Sequence, residues 1–449
     1  MQKKLFSGLF WVLLANLLVK PLWILGVEVG VQNAVGNEMY GFYFSIFNLS
    51  YILNILLDLG ITNFNTRNIA QHPQLIGKHL SGILGIKVCL LGLYVVVAFT
   101  AGTLLGYGSR EFYLLAWLTL CQFLNSLILY LRSNFEGLML FRWDSLFSVL
   151  DRVLMILICG CLLWGPKLSL FGCCFSIYHF VYAQAAAYGV TAAVALAVIG
   201  RKAGLRRLRW DWRFFLVILK KSAPFALLVL LMASYNRIDP LLLRRMAGDA
   251  AAGVYAGAFR LLDALTMVAY LVSVPLLPVF ARLTATAEER GMLSSTVRMV
   301  FWPLMLFAVG AAVAGALWAE PLMGLLYPGR GGEYVPVFRV IVFGIIPIGL
   351  TYIFGTLLTA GGFLRQLNLY ALTTLAINIG VNLLLIPRLG ATGSAWASLT
   401  AQSFMAIAQL ALSVKIFHLP LSTFRFPRLR DAKHLLASAM ESRRTPQEK

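Results

Sequence analysis

Apolar stretches follow one another along the whole chain, each about 20 residues long or slightly more, the length at which an α-helix crosses a bilayer. Six lie near 6–29, 38–60, 80–103, 111–132, 145–165 and 170–199, and six more near 222–243, 252–281, 298–319, 335–360, 366–387 and 391–418. Connections are short except for 200–221 in the middle and a polar tail over 419–449. The pattern predicts an all-α integral membrane protein of about 12 transmembrane helices. Two six-helix lobes, 1–200 and 222–418, would be joined by a basic amphipathic linker at 201–221. The opening Met1-Gln2-Lys3-Lys4 resembles the start of a signal peptide. The apolar run behind it is too long, carries Lys20-Pro21 in its middle and lacks a small-residue cleavage site, so it reads as the first span.

The two halves echo each other. Gly41-Phe42-Tyr43 opens the second stretch and Gly253-Val254-Tyr255 the eighth, 212 residues later, and at that offset Phe47 matches Phe259 and Leu49 matches Leu261. Composition agrees with a membrane chain: 60% of residues are hydrophobic, 12% are charged, and the mean hydropathy is +0.80. Soluble domains carry about 25% charged residues, so a soluble enzyme, a DNA-binding module and a disordered tail all fit poorly. The formal charge of +20 would suggest nucleic acid on a soluble protein, but in a polytopic chain it serves as an orientation signal. With the N-terminus cytoplasmic and spans alternating, cytoplasmic segments carry 26 of the Lys and Arg residues and outer loops carry 6. Both termini are therefore expected in the cytoplasm. Cys89, Cys121, Cys159, Cys161, Cys173 and Cys174 all sit in apolar segments and form no zinc, redox or disulfide pattern.

Three motifs carry a family resemblance. Leu57-Asp58-Leu59-Gly60-Ile61 with Thr66-Arg67-Asn68-Ile69-Ala70 resembles the second-helix signature of bacterial polysaccharide flippases of the Wzx type. Gly253-Val254-Tyr255-Ala256-Gly257-Ala258-Phe259-Arg260-Leu261 resembles the start of their eighth helix. The stretch from Asn382 to Ala395, with Pro387-Arg388-Leu389-Gly390 at its centre, resembles the turn between their last two helices. The similarity spans roughly 1–418 and points to the multidrug/oligosaccharidyl-lipid/polysaccharide exporter superfamily. The resemblance implies a V-shaped pair of lobes around a central cavity in the bacterial inner membrane. It implies transfer of an undecaprenyl-pyrophosphate-linked O-antigen, capsule or exopolysaccharide unit to the outer leaflet by alternating access. A polysaccharide polymerase and a chain-length regulator are the implied protein partners.

A pyrophosphate cargo needs fixed positive charge, and a cation in hydrocarbon costs from about 3 to above 10 kcal/mol unless it is paired or wet. Lys20 lies some 14 residues into the first span, roughly 21 Å along a helix, with Asn16 one turn before it and Pro21 favouring a kink. Lys20 either lines the pathway or pairs with Glu28 or Asp58. Arg237 lies as deep in Tyr235-Asn236-Arg237-Ile238-Asp239-Pro240; so polar a run cannot face lipid, and a guanidinium suits phosphate oxygens. Arg260 reads either as a cargo contact or as a structural charge neutralised by Asp263 three residues on. Lys87 and Arg152 lie close enough to cytoplasmic ends to snorkel. Arg67 is placed by the resemblance at the inner mouth.

A second constellation suits a coupling ion. Asp239 could meet Asn378 and Asn382, which share a helix face, with Ser394 or Ser398 on the next span. These oxygens fit Na+ or H+; the alternative is an interhelical hydrogen-bond cluster. No other cofactor is expected. The linker interleaves eight basic residues with Trp210, Trp212, Phe214 and Phe215, a pattern better matched to an interfacial helix on anionic phospholipid than to nucleic acid. There is no GxxxxGK[ST] loop for nucleotide. A membrane-embedded glycosyltransferase or polymerase would need an acidic outer loop, yet the longest, about 320–334, offers only Glu320 and Glu333. Within transporters the competing readings are a lipid II-type flippase and a MATE-like drug exporter, and deep cations disfavour a cationic drug.

Overall fold

The computed structural model describes residues 19, 21–62, 65, 66, 69, 74, 76–164, 175–203, 226–273, 276–285, 290–424 and 426. Asn16, Lys20, Arg67, most of the linker and the tail beyond 426 lie outside the described residues. Among the described residues all regular structure is helical, and nine helices are long and apolar enough to cross a membrane.

Three of the nine, Leu22–Leu57, Ala226–Ser273 and Leu364–Phe417, run for 36, 48 and 54 residues, too long for a hydrocarbon core of about 30 Å. Each doubles back at a glycine with positive φ, Gly36 (81°), Gly248 (88°) and Gly390 (55°), a conformation that a Cβ would strain. Contacts prove the reversals. Trp23 and Tyr43 both pack on the ring of Phe180, although 20 residues of straight helix would hold them about 30 Å apart. The Tyr255 hydroxyl donates to Asp239 at 2.9 Å across Gly248. Ser394 donates to Asn382 Oδ1 at 2.8 Å across Gly390.

The 212-residue echo is structural. Gly36 and Gly248 stand at that offset and share nearly the same backbone angles. The helices they begin pack face to face: a methyl on Gly41 would sit 1.9 Å from the Asp249 carbonyl, and one on Gly253 would sit 2.0 Å from the Asn37 carbonyl. Asn37 and Asp249 are themselves 212 apart, so the contact is reciprocal, as across a pseudo-twofold axis. On either side, apolar clusters separate by half. Residues 23–199 supply two of them and 228–419 the other two, while Val29 and Ala256 cross the seam into the opposite core.

Several boundaries differ from the hydropathy reading. The second stretch tightens into a 3-10 turn over Leu53–Leu57, and the eighth is described as helix to Ser273 and again over Leu276–Ala285. The connection expected to be the longest outer one contains the helix Ala319–Leu326. Chain beyond Pro21 is wound as a π-helix over Leu22–Glu28, consistent with a local distortion at that proline. Lys87 does not snorkel. It is 1% exposed and donates to the Leu57 carbonyl (2.8 Å), Asp58 (3.0 Å) and Ser126 (2.8 Å). The ammonium thereby satisfies a carbonyl freed where the second span ends. Lys87→Met should cost about 3 kcal/mol or slightly less, because Asp58 is 28% exposed and can rehydrate. Thermal unfolding followed by size-exclusion should show the loss, and Lys87→Met with Asp58→Asn should recover part of it.

Candidate functional site: a cavity between the halves

From the Gly41–Gly253 contact the two seam helices run toward Tyr51 and Asp263, again 212 residues apart. Between the halves lie two adjoining cavities, of about 470 and 790 Å³. Their walls share Tyr51, Arg237, Phe259 and Asp263. The smaller cavity is bounded by Glu28, Tyr40, Arg152, Tyr188 and Arg260 from both halves. The larger is walled by Tyr51 and by residues of the second half, all neutral apart from Arg237 and Asp263.

Arg237 stands at the junction. The backward fold at Gly248 brings its Nη2 to 3.3 Å from Asp263 Oδ1, and its guanidinium lies 5.2 Å from the Tyr51 ring and 5.0 Å from Phe259. The Asp263 side chain is 48% exposed, so this pair is open on one side. Arg260 is different. Its Nε donates to Glu28 at 3.2 Å, its Nη1 to the Tyr327 hydroxyl at 2.6 Å, and it covers Tyr40 at 4.9 Å. The i,i+3 pairing of Arg260 with Asp263 is thus overturned: Asp263 belongs to Arg237, and the first half supplies the partner of Arg260. Glu28 and Asp58, the candidate partners for Lys20, are bonded to Arg260 and Lys87.

Arg152, expected to snorkel, instead points inward. It lies 5.3 Å from the Trp23 ring and 5.9 Å from Tyr188, with Asp151 at 3.5 Å. Sequence reading missed it as a wall residue, because depth along a span does not reveal which way a side chain faces. Among the described residues the charged groups of the two walls are three guanidiniums and two carboxylates.

The second constellation is brought together. Asp239, Asn378, Asn382 and Ser394 are fully buried and Ser398 is 1% exposed. Asp239 accepts from Tyr255 at 2.9 Å, Asn382 at 2.8 Å and Asn378 at 3.1 Å, and Ser398 bonds it too. Among the described residues no salt bridge reaches Asp239, so a carboxylate in the membrane interior is held by neutral groups alone. Either amide presents its carbonyl oxygen instead if it turns about its last bond.

At the end bearing the Gly36 and Gly248 turns, the halves are clamped. Arg244 bridges Glu111 and Asp249, each at 2.7 Å. Arg245 donates to the Leu105 carbonyl, Gln32 to that of Gly253 and Asn33 to that of Leu326. Asn37 holds Glu333 at 3.0 Å and accepts from Tyr334.

Residues 5–284 match the family model described as "Polysaccharide biosynthesis protein". No curated protein matches the chain by sequence. Among solved structures, an inward-facing multidrug resistance MATE family transporter of the MOP superfamily superposes with a TM-score of 0.68 at 14% identity, covering 88% of this chain and 94% of that one. The lipid II flippase MurJ, inward closed, gives 0.65 at 14% identity over 92% and 88%. A MOP superfamily transporter from Pyrococcus furiosus, described as having a binding pocket of reversed polarity, gives 0.57 at 14% over 92% and 93%. At these identities the likeness establishes a shared fold.

Proposed function

The chain belongs to the polysaccharide biosynthesis protein family, and from that premise we propose that it flips an undecaprenyl-pyrophosphate-linked oligosaccharide from the inner to the outer leaflet. We read each glycine-reversed hairpin as two spans, which makes twelve in two lobes of six, and the proposal places both termini on the cytoplasmic side of the bacterial inner membrane. On that orientation the clamped end faces outward and the cavity opens toward the cytoplasm. The observation that carries the reading is Arg237. It is a guanidinium at the meeting point of two cavities whose one salt bridge among the described residues is to a half-exposed carboxylate, where a diphosphate can displace or share the partner.

Arg237, whose carboxylate partner is open on one side, favours an anionic head group over a cationic drug. A lipid II-type substrate carries the same diphosphate and is the second reading. An enzyme is disfavoured by the fate of the outer-loop carboxylates: Glu320 pairs with Arg339 at 2.9 Å and Glu333 accepts from Asn37. Anionic phospholipid at 201–221 and a polymerase with its chain-length regulator complete the proposed partners.

An inside-negative potential drives an anion outward by about 2.3 kcal/mol per charge per 100 mV, roughly 5 kcal/mol for a diphosphate with two charges. Proteoliposome translocation of a lipid-linked saccharide should rise with imposed potential, and transport indifferent to potential and to every ion gradient would overturn the proposal. For a coupling ion we assign Asp239. A buried carboxylate with no cationic partner is strongly disfavoured in the membrane interior, so binding Na+ or a proton there would stabilise one state of the cycle. Asp239→Asn should abolish the response of transport to a Na+ or pH gradient while its dependence on potential survives. An unchanged ion response would leave the cluster as packing alone.

A further inference from the structure

The clamped end of the seam and the cavity beneath it are joined by one run of bonded side chains. Tyr327 follows the helix Ala319–Leu326, and Tyr334 lies in the first turn of Gly331–Ile341. Between them Pro328-Gly329 reverses the chain, with Gly329 at a φ of 77°. The reversal lays the two rings face to face, with centroids 4.0 Å and planes 8° apart. Both tyrosines are buried. Gly257 on the seam helix makes the room: a methyl there would strike the Tyr334 ring and come within 2.9 Å of the Tyr327 hydroxyl.

Each hydroxyl of the stacked pair is committed. Toward the cavity, Tyr327 accepts from Arg260 Nη1 at 2.6 Å and donates to the Gly257 carbonyl at 3.4 Å. Toward the clamp, Tyr334 accepts from Gln32 at 3.2 Å and donates to Asn37, whose amide holds Glu333. Arg260 in turn donates through Nε to Glu28 at 3.2 Å, and the other oxygen of that carboxylate is held by Trp23 of its own half at 2.9 Å. Within this run it is the Glu28–Arg260 link that borders open space. Both residues line the smaller cavity, and the Glu28 side chain is 27% exposed.

Arg260 stands one turn before Asp263 on the same helix, about 4.5 Å along its axis, and Asp263 pairs with Arg237. An anion drawn to Arg237 therefore arrives beside the Glu28–Arg260 pair, where it repels the carboxylate and competes for the guanidinium. We propose that Tyr327 and Tyr334 are positioning residues that carry the state of this pair to the clamp, so that a diphosphate in the cavity loosens the opposite end. The device rests on the flippase reading above. With Glu28 displaced, Arg260 turns toward the phosphate, Tyr327 loses the donor that seats it, and the stacked Tyr334 leaves Gln32 and Asn37. A close-packed pair with its donors and acceptors engaged has no slack to absorb such a shift. Glu28, Gln32 and Asn37 belong to the first half, and Arg260 and Tyr334 to the second. The bonds lost at both ends of the run thus cross the seam. The anion binds Arg260 better once Glu28 has gone, and that difference is what shifts the balance.

The test uses the full chain in nanodiscs, with spin labels on Leu104→Cys and Trp318→Cys at the clamped ends of the two halves and the native cysteines replaced by serine. Undecaprenyl diphosphate should raise the ratio of parted to joined clamp about 10-fold, within the usual range for coupled sites. Undecaprenol, the same chain without the charge, should leave the ratio unchanged. Glu28→Gln keeps the shape and weakens the ion pair, so it should part the clamp several-fold more often without lipid. Tyr327→Phe keeps the stacked ring and removes the hydroxyl. It should bind undecaprenyl diphosphate as wild type does by native mass spectrometry, which reports that it is folded, yet its clamp should respond less than about 2-fold. A full response in Tyr327→Phe, or a clamp as tight in Glu28→Gln as in wild type, would overturn the device. Undecaprenol acting as well as the diphosphate would overturn the anion as its trigger. Lipid bound by wild type with no change at the clamp would overturn the device and leave the flippase reading standing. Failure of wild type to bind undecaprenyl diphosphate would overturn the device together with the reading beneath it.

Discussion

Arg237→Ala is expected to lower translocation of a lipid-linked saccharide at least 10-fold while the amount of folded protein in the membrane stays near wild type. The size follows from losing charge-assisted hydrogen bonds, each worth about 1.5–3 kcal/mol. Folding should be spared because Asp263, 48% exposed, can take water in place of the guanidinium. Arg237→Lys should restore part of the activity, since a point charge replaces the fork without its bidentate geometry. Arg260→Ala is the contrast. That guanidinium is 5% exposed and ties Glu28 of one half to Tyr327 of the other, so its loss should appear first as less folded protein. Translocation in proteoliposomes, normalised to protein recovered after size-exclusion, separates the two outcomes. Full activity in Arg237→Ala would make its charge structural.

Gly253→Ala should have an effect of similar size by another route. Its methyl would lie 2.0 Å from the Asn37 carbonyl oxygen, and backbone cannot swing aside as a side chain can. The seam must part, and with it the contacts of Gln32, Asn33 and Asn37 across the clamp. Spin labels placed either side of the clamp should show the distance lengthen by several ångströms, and translocation should fall because the closed end no longer seals. Gly41→Ala should do the same, since its methyl meets the Asp249 carbonyl at 1.9 Å. An unchanged distance distribution in both variants would contradict the close contact.

Much of this fold is legible in the sequence because a bilayer demands long apolar runs, and those runs are local. The echo at Gly41 and Gly253 is legible too, as identical residues at one offset; that the two glycines touch one another is not. Reversals at Gly36, Gly248 and Gly390 decide which residues become neighbours, and hydropathy shows them only as short gaps. The misassigned partner of Arg260 has this cause: Asp263 is near it along one helix, but the fold at Gly248 delivers Arg237 to the same carboxylate. Asp239, Asn378, Asn382 and Ser394 could be grouped beforehand because a four-residue spacing and a short turn constrain where they fall. The inward turn of Arg152 depends on side-chain direction, which residue spacing does not contain.

The central claim, a diphosphate held between the halves at Arg237, is tested most directly by photo-crosslinking in membranes. A polyprenyl diphosphate carrying a photoreactive group at its diphosphate end should label peptides containing Tyr51, Arg237 and Phe259, and excess undecaprenyl diphosphate should protect them. Labelling confined to outward-facing positions such as Leu384 and Val96, 71% and 64% exposed, or labelling of the cavity that excess lipid does not suppress, would contradict it.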